Sequence, residues 1–277
     1  FGFHFASLDI RQNSKIHNHV IKTIFNSLAT ADVEYQNYFE YSDEKKFELL
    51  SKLSGNLESN LFNDEITKQT LDSIIAIKTI QENNGELGAN RYIISNNESA
   101  LNVMETFALF KLCNWKNPTV DIVPLFESID DLQFADAIME QLYTNKEYAN
   151  HLKKRENKQT VMLGFSDGTK DGGYLMANWG IYKAKEAITK MSRKYGIKVI
   201  FFDGRGGPPA RGGGKTHKFY ASLGAEIENK EIQLTIQGQT ISSNFGTSES
   251  CRYNLENLLS AGVANQIYKK DEINLSV

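Results

Sequence analysis

Long apolar runs are missing from this chain. None reaches the ~18 residues that a membrane-crossing helix requires, and no signal peptide is visible, so no membrane partner is expected. Cysteine is nearly absent: Cys113 and Cys251 stand far apart and without CxxC spacing. That excludes a disulfide framework and reads as free thiols in a reducing cytoplasm. A strong excess of either charge is also lacking, with 31 Lys and Arg against 34 Asp and Glu, a formal net charge of -3. Nucleic acid and anionic membrane are therefore disfavoured as main partners, and any basic cluster needs a local explanation. No repeat, low-complexity tract or Pro/Gly/Ser linker breaks the 277 residues, so residues 1–277 read as one domain, near the upper size for a single core. Position 1 is not Met. The chain opens on FGFHFASLDI, an apolar run read as a buried strand, and a natural terminus seldom starts inside a core. An excised part of a longer polypeptide is expected.

Six segments read as strands: 1–10, 91–95, 120–126, 161–165, 198–202 and 231–241. YIIS, VDIVPLF, VMLGF and KVIFF are continuous apolar runs, the pattern of parallel strands covered on both faces. EIQLTIQGQTI alternates, so one of its faces is expected to be wetter. Helical periodicity fills 65–81, 101–112, 132–142 and 181–191. Strand and helix thus alternate, which indicates an α/β fold. An open doubly wound sheet and a (β/α)8 TIM-like barrel both fit. Too few strands are present to close a barrel, so that reading means a partial barrel with many helices, incomplete as a fragment.

Ligands of parallel β/α folds bind beyond the carboxyl ends of the strands. VDIVPLF ends in Glu127, then Ser128, with Asp130 and Asp131 in the first helical turn, where they suit the helix dipole. VMLGF runs into SDGTKDGG, whose acids, lysine and glycines read as a turn with little side chain to pack. Glu127 and Asp167, leaving successive strand ends, could share one hard cation such as Mg2+ or Mn2+. KVIFF runs into DGRGGPPARGGGKTH, with six glycines in fifteen residues and Arg205, Arg211 and Lys215 as fixed charge. This is the composition of an anion-binding loop. It is not a nucleotide P-loop, because the pattern ending at Gly214, Lys215 and Thr216 needs glycine where Pro209 stands. His17 and His19, two apart on a helix, are not a metal pair and read as surface or partly buried.

FASLDIRQNS, RYIISNNESALNV, IVPLFESIDDL, VMLGFSDGTKDGGYLMANWGIYKAKEAI, FFDGRGGPPARGGGKTH and IQLTIQGQTISSNFG, in this order, resemble phosphoenolpyruvate carboxylase across nearly the whole chain. The resemblance implies a carbon-carbon lyase that adds bicarbonate to phosphoenolpyruvate, giving oxaloacetate and inorganic phosphate. It implies, further, an enzyme that feeds oxaloacetate to the tricarboxylic acid cycle under allosteric control. It also implies a cytoplasmic, mostly helical homotetramer round a β/α barrel, of which this chain is a central part.

By resemblance, Glu127 and Asp167 hold Mg2+ or Mn2+. Arg205, with Gly206 and Gly207, takes the transferring phosphoryl group, and Lys170 and Arg11 help to hold substrate. Arg211 resembles an arginine that contacts an inhibitory effector in some members.

Two departures stand out. The family usually has His where this chain has Asp203, and Gly at Ala210. An aspartate at 203 would repel an anion unless paired with Arg205 or set back from it. The family's upstream histidine motif and downstream substrate-binding arginines are not in the sequence, so the chain alone is expected to be inactive. The alternative reading is a non-catalytic phosphate- or nucleotide-binding module, which would gain nothing from a carboxylate pair beside the phosphate.

Overall fold

The computed structural model describes residues 4–28, 33–208 and 212–267. In chain order they form β1 (Asp9–Asn13), α1 (Ser14–Leu28), α2 (Val33–Gln36), α3 (Asp43–Lys52), α4 (Glu65–Asn84), β2 (Arg91–Ser95), α5 (Ala100–Leu112), β3 (Asp121–Phe126), α6 (Ile129–Thr144) and α7 (Lys146–Lys154). Then follow β4 (Lys158–Leu163), α8 (Phe165–Lys194), β5 (Lys198–Gly206), α9 (Thr216–Ser222), β6 (Ile232–Ile236), α10 (Gly238–Phe245) and α11 (Ser248–Ile267). Sheet order follows chain order, β1-β2-β3-β4-β5-β6. Pairing is parallel for β1 with β2, β2 with β3, and β5 with β6. A doubly wound sheet needs a reversal in strand order, and there is none here. The class is mixed α/β with a six-stranded sheet and many helices.

Two compact units divide the chain, one of residues up to Phe126 with Ala137–Thr160, the other Glu127–Asp136 with Val161 onward. In the first unit β2 buries Tyr92, Ile93 and Ile94, as its continuous apolar run requires. Helix α5 is buried almost all round, which is why its sequence lacks an amphipathic stripe. His17 is wholly buried, where a surface or partly buried role is expected, and bonds the Tyr92 hydroxyl at 3.0 Å and Thr106 at 3.0 Å. Burial holds its imidazole neutral, with the pKa pulled down to about 3.

In the second unit α8 breaks at Gly173, whose φ of 79° and ψ of 166° leave the helical region. Beyond the break, Ala177, Ile181, Ala184, Lys185 and Ile188 are buried at helical spacing. A lysine therefore sits in the apolar stripe.

Three sequence expectations are corrected. Residues 4–8 are not a buried strand: β1 starts at Asp9, and Phe5 and Leu8 are exposed. The segment SDGTKDG is helical, the first part of α8, and not a turn. β5 continues through Asp203 and Arg205 to Gly206, while β6 ends at Ile236, where Gln237 caps a helix; β6 is half-buried throughout rather than alternating.

Ile181→Ala should cost ~2–5 kcal/mol in urea unfolding, since it opens a cavity at a wholly buried position. On the same helix, Glu186→Ala removes only an exposed pair with Lys183 and should cost at most ~0.5 kcal/mol.

Candidate active site

The second unit contributes Glu127 with the start of α6, and the ends of β4 and β5. Glu127 follows β3 and is half-buried. Next to it, Ser128 and Asp131 cap α6 reciprocally: the Asp131 amide donates to Ser128 Oγ at 3.1 Å and the Ser128 amide to Asp131 Oδ2 at 3.2 Å. The Ile129 amide donates to Asp171 Oδ2 at 3.0 Å, which ties the first part of α8 to the start of α6. A Cβ on Gly168 would lie 3.7 Å from the Glu127 carbonyl oxygen. Glu127 and Asp167 thus stand on neighbouring backbone segments.

The Asp167 carboxylate accepts from Lys170 Nζ at 2.9 Å, with both side chains largely in solvent. Such a pair is weak and exchangeable. Among the described residues no group of three or more His, Cys, Asp or Glu is arranged to hold a metal. An all-protein cage is therefore not built here. Two carboxylates that leave the remaining positions to water and substrate oxygen fit Mg2+ or Mn2+, which keep most of their waters.

At the end of β5, Asp203 and Arg205 stand two apart, where the pairing with β6 shifts register between Asp203 and Gly206. Arg205 is only 3% exposed. Its Nη2 donates to the Gly213 carbonyl at 3.1 Å, and its guanidinium carbon lies 4.2 Å from the ring centre of Phe219 and 5.5 Å from that of Phe165. Nε and Nη1 are buried without a partner. Burial lowers the pKa from its ordinary value, yet a guanidinium stays charged at any working pH. Unsatisfied cationic N–H groups are expensive to bury, and an anion would satisfy both.

The loop after β5 folds back on itself. The Gly207 amide donates to the Arg205 carbonyl at 2.8 Å, Gly213 to Pro208 at 3.0 Å and Gly214 to Gly207 at 3.3 Å. The Gly207 amide is thus engaged within the loop, and what this glycine offers is close approach. Arg211 lies outside the described residues. A cleft of about 480 Å³ is lined by Arg205, Gly213, Lys215, Lys218, Tyr174 and Tyr182 among others, with no carboxylate among its described lining. Glu127, Asp167 and Lys170 do not line it. Arg11 belongs to β1 of the first unit, in register with Ile93.

Asp203 is wholly buried. Its Oδ2 accepts from Lys185 Nζ at 2.7 Å and from the Tyr220 hydroxyl at 2.6 Å, while Oδ1 has no partner. The concern that Asp203 would oppose an anion is resolved by Lys185, not by Arg205. The Lys185 ammonium lies 5.0 Å from the ring centre of Phe201 and 5.2 Å from that of Phe219. Burial holds its pKa below the ordinary lysine range, against the pull of Asp203. Burial and the Asp203 charge push the Tyr220 hydroxyl up, so it remains a donor.

Sequence reasoning missed Lys185, Tyr220 and Asp171. The available signal was a lysine in the register of Ile181, Ala184 and Ile188, beside an acid at the strand's polar end.

The sequence profile of the phosphoenolpyruvate carboxylase family matches residues 1–274. Phosphoenolpyruvate carboxylase of Nitrosomonas eutropha is 36% identical over 283 residues, covering 99% of this chain and 30% of the relative. The enzyme of Nitrosomonas europaea is 35% identical over 284 residues, covering 99% and 30%. That of Corynebacterium glutamicum is 35% identical over 285 residues, covering 99% and 31%. The chain spans about 30% of the length of the curated relatives it matches.

The loop geometry separates two glycines. A Cβ at Gly213 would sit 1.5 Å from the Gly207 carbonyl oxygen, so Gly213→Ala must open the loop. A Cβ at Gly207 meets the end of the Gln237 side chain, which can swing away. In phosphate titrations of the full-length protein, Gly213→Ala should lose at least about tenfold in affinity, ~1.4 kcal/mol, and Gly207→Ala less.

Proposed function

The chain belongs to the phosphoenolpyruvate carboxylase family, and we propose that it is the metal- and phosphate-binding part of such an enzyme. On this reading its strands are part of a (β/α)8 barrel in a longer chain, working as a cytoplasmic homotetramer that carboxylates phosphoenolpyruvate with bicarbonate. The observation that carries the reading is Arg205: a buried guanidinium with Nε and Nη1 unpartnered, at the polar end of β5.

The chemistry follows from charge. A bicarbonate oxygen attacks phosphorus, the bond from phosphorus to the enol oxygen breaks, and carboxyphosphate and enolate result. The bicarbonate proton ends on phosphate. Carboxyphosphate releases CO2, and C3 of the enolate attacks it to give oxaloacetate. Arg205 would donate from its two unpartnered nitrogens, Nε and Nη1, to the phosphoryl oxygens, whose charge it faces in a dry setting. The close turn of Gly206 and Gly207 lets the phosphoryl group approach the backbone. Glu127 and Asp167 would hold Mg2+ or Mn2+, which supplies positive charge to the substrate oxygens when bound. Lys170, held only in an exposed and exchangeable pair with Asp167, would be able to turn its ammonium toward substrate. Arg11 as a second substrate cation and Arg211 as an effector contact rest on the resemblance alone. A bare phosphate- or nucleotide-binding module would leave the neighbouring carboxylates at the ends of β3 and β4 without a task.

The full-length protein should form oxaloacetate from phosphoenolpyruvate and bicarbonate in a coupled assay with Mg2+ or Mn2+, and this chain alone should not. Robust turnover by the chain alone would refute the claim that essential groups lie elsewhere in the polypeptide. In the full-length enzyme, Arg205→Lys should lower kcat/KM about 100-fold, ~2.7 kcal/mol, because lysine cannot reproduce the two planar N–H groups.

A further inference from the structure

We infer that Lys185 is a positioning residue that keeps Asp203 away from Arg205, so that Arg205 has two N–H groups left for a phosphate. The inference rests on the reading of Arg205 as the phosphate ligand and adds the residue on which that ligand's availability depends.

Asp203 and Arg205 lie two residues apart near the end of β5, both buried, where the pairing with β6 shifts register. Opposite charges placed so close in an apolar setting attract strongly, and a carboxylate is the natural bidentate partner of a guanidinium. In this structure they do not pair. Asp203 Oδ2 is taken by Lys185 Nζ at 2.7 Å and Tyr220 Oη at 2.6 Å, and Arg205 donates to the Gly213 carbonyl. Arg205 Nε and Nη1 and Asp203 Oδ1 are all buried and all without partners. Phe219 is approached by both cations, 4.2 Å from Arg205 and 5.2 Å from Lys185.

Lys185 cancels the charge of Asp203, and the charge left over in the trio resides on Arg205. A lysine in the buried stripe of α8 has little packing reason to be there, since an apolar residue would fill the place at no desolvation cost. Its place is explained by the charge it neutralises. Without Lys185, the buried carboxylate is left with Arg205 two residues along the strand, and pairing would consume the donors that a phosphate needs.

Three variants of the full-length protein test this, with inorganic phosphate as the probe in a 31P NMR titration and phosphoenolpyruvate in steady-state assays. Lys185→Met should weaken phosphate binding at least about tenfold and raise KM for phosphoenolpyruvate more than it lowers kcat. Asp203→Asn should stay within about threefold of the parent. The double variant, Lys185→Met with Asp203→Asn, should recover phosphate affinity to within about threefold, even where its melting temperature stays low. A merely structural Lys185 would give a double variant no better than the single one, and that result overturns the inference. Wild-type phosphate affinity in Lys185→Met overturns it as well. If Lys185→Met does not fold, the double variant decides by its own affinity, recovery supporting and loss overturning. A protein that binds phosphate in the expected order of variants but forms no oxaloacetate contradicts the proposed function and leaves Lys185 its role.

Discussion

A buried lysine and a buried aspartate, 1% and 0% exposed, meet in the second unit and fix the end of β5. Removing either ion from water costs several kcal/mol, and their attraction offsets that only when geometry and further hydrogen bonds are good. Here the lysine comes from α8, the acid from β5, and a third group, the Tyr220 hydroxyl, from α9. One carboxylate oxygen thus joins three elements. Taking away one charge alone would strand the other, a loss of ~3–5 kcal/mol in comparable cases. The glycine-rich loop runs from that β5 end to α9, and the Tyr220 hydroxyl on Asp203 joins the two elements it connects.

Around this fixed point the charges are sorted. Acids gather where the start of α6 and the first part of α8 meet: Glu127 and Asp167 on neighbouring segments, and Asp171 holding the Ile129 amide. Cations gather on the cleft that Arg205 shares with Lys215 and Lys218. Such sorting suits a reaction in which a phosphoryl group and an enolate both carry negative charge. On the proposed reading, one group of residues would offer oxygen ligands to a cation and the other donors to the leaving phosphate. The aspartate at 203 is accommodated because its charge is cancelled within the core before it can oppose an anion.

Strands β2, β3 and β5 were legible from their continuous apolar runs, since burial on both faces leaves no other pattern. The opening run was not, because apolar composition does not distinguish a buried strand from residues left exposed, as Phe5 is. SDGTKDGG was misread as a turn on its glycines. A Cβ at Gly172 would meet the Ile129 side chain at 2.9 Å, so this glycine serves close packing of helical backbone rather than a bend. Of the candidate site, Glu127, Asp167, Lys170, Arg205 and the loop could be named from the sequence because the resemblance lies in local strings of residues. Lys185 was hidden, since a lysine within KAKEAI reads as a solvated face. Only the three-dimensional meeting of α8 with β5 and α9 reveals that it faces an acid.

The central claim is that Arg205 holds two donors in reserve for a phosphate. A crystal structure of the full-length protein with Mn2+ and a non-reacting phosphoenolpyruvate analogue tests it most directly. Phosphate oxygens are expected within hydrogen-bond distance of Arg205 Nε and Nη1, with Asp203 still on Lys185 and the anomalous manganese peak against Glu127 and Asp167. An Arg205 that pairs with Asp203 while the phosphate binds elsewhere would contradict the account.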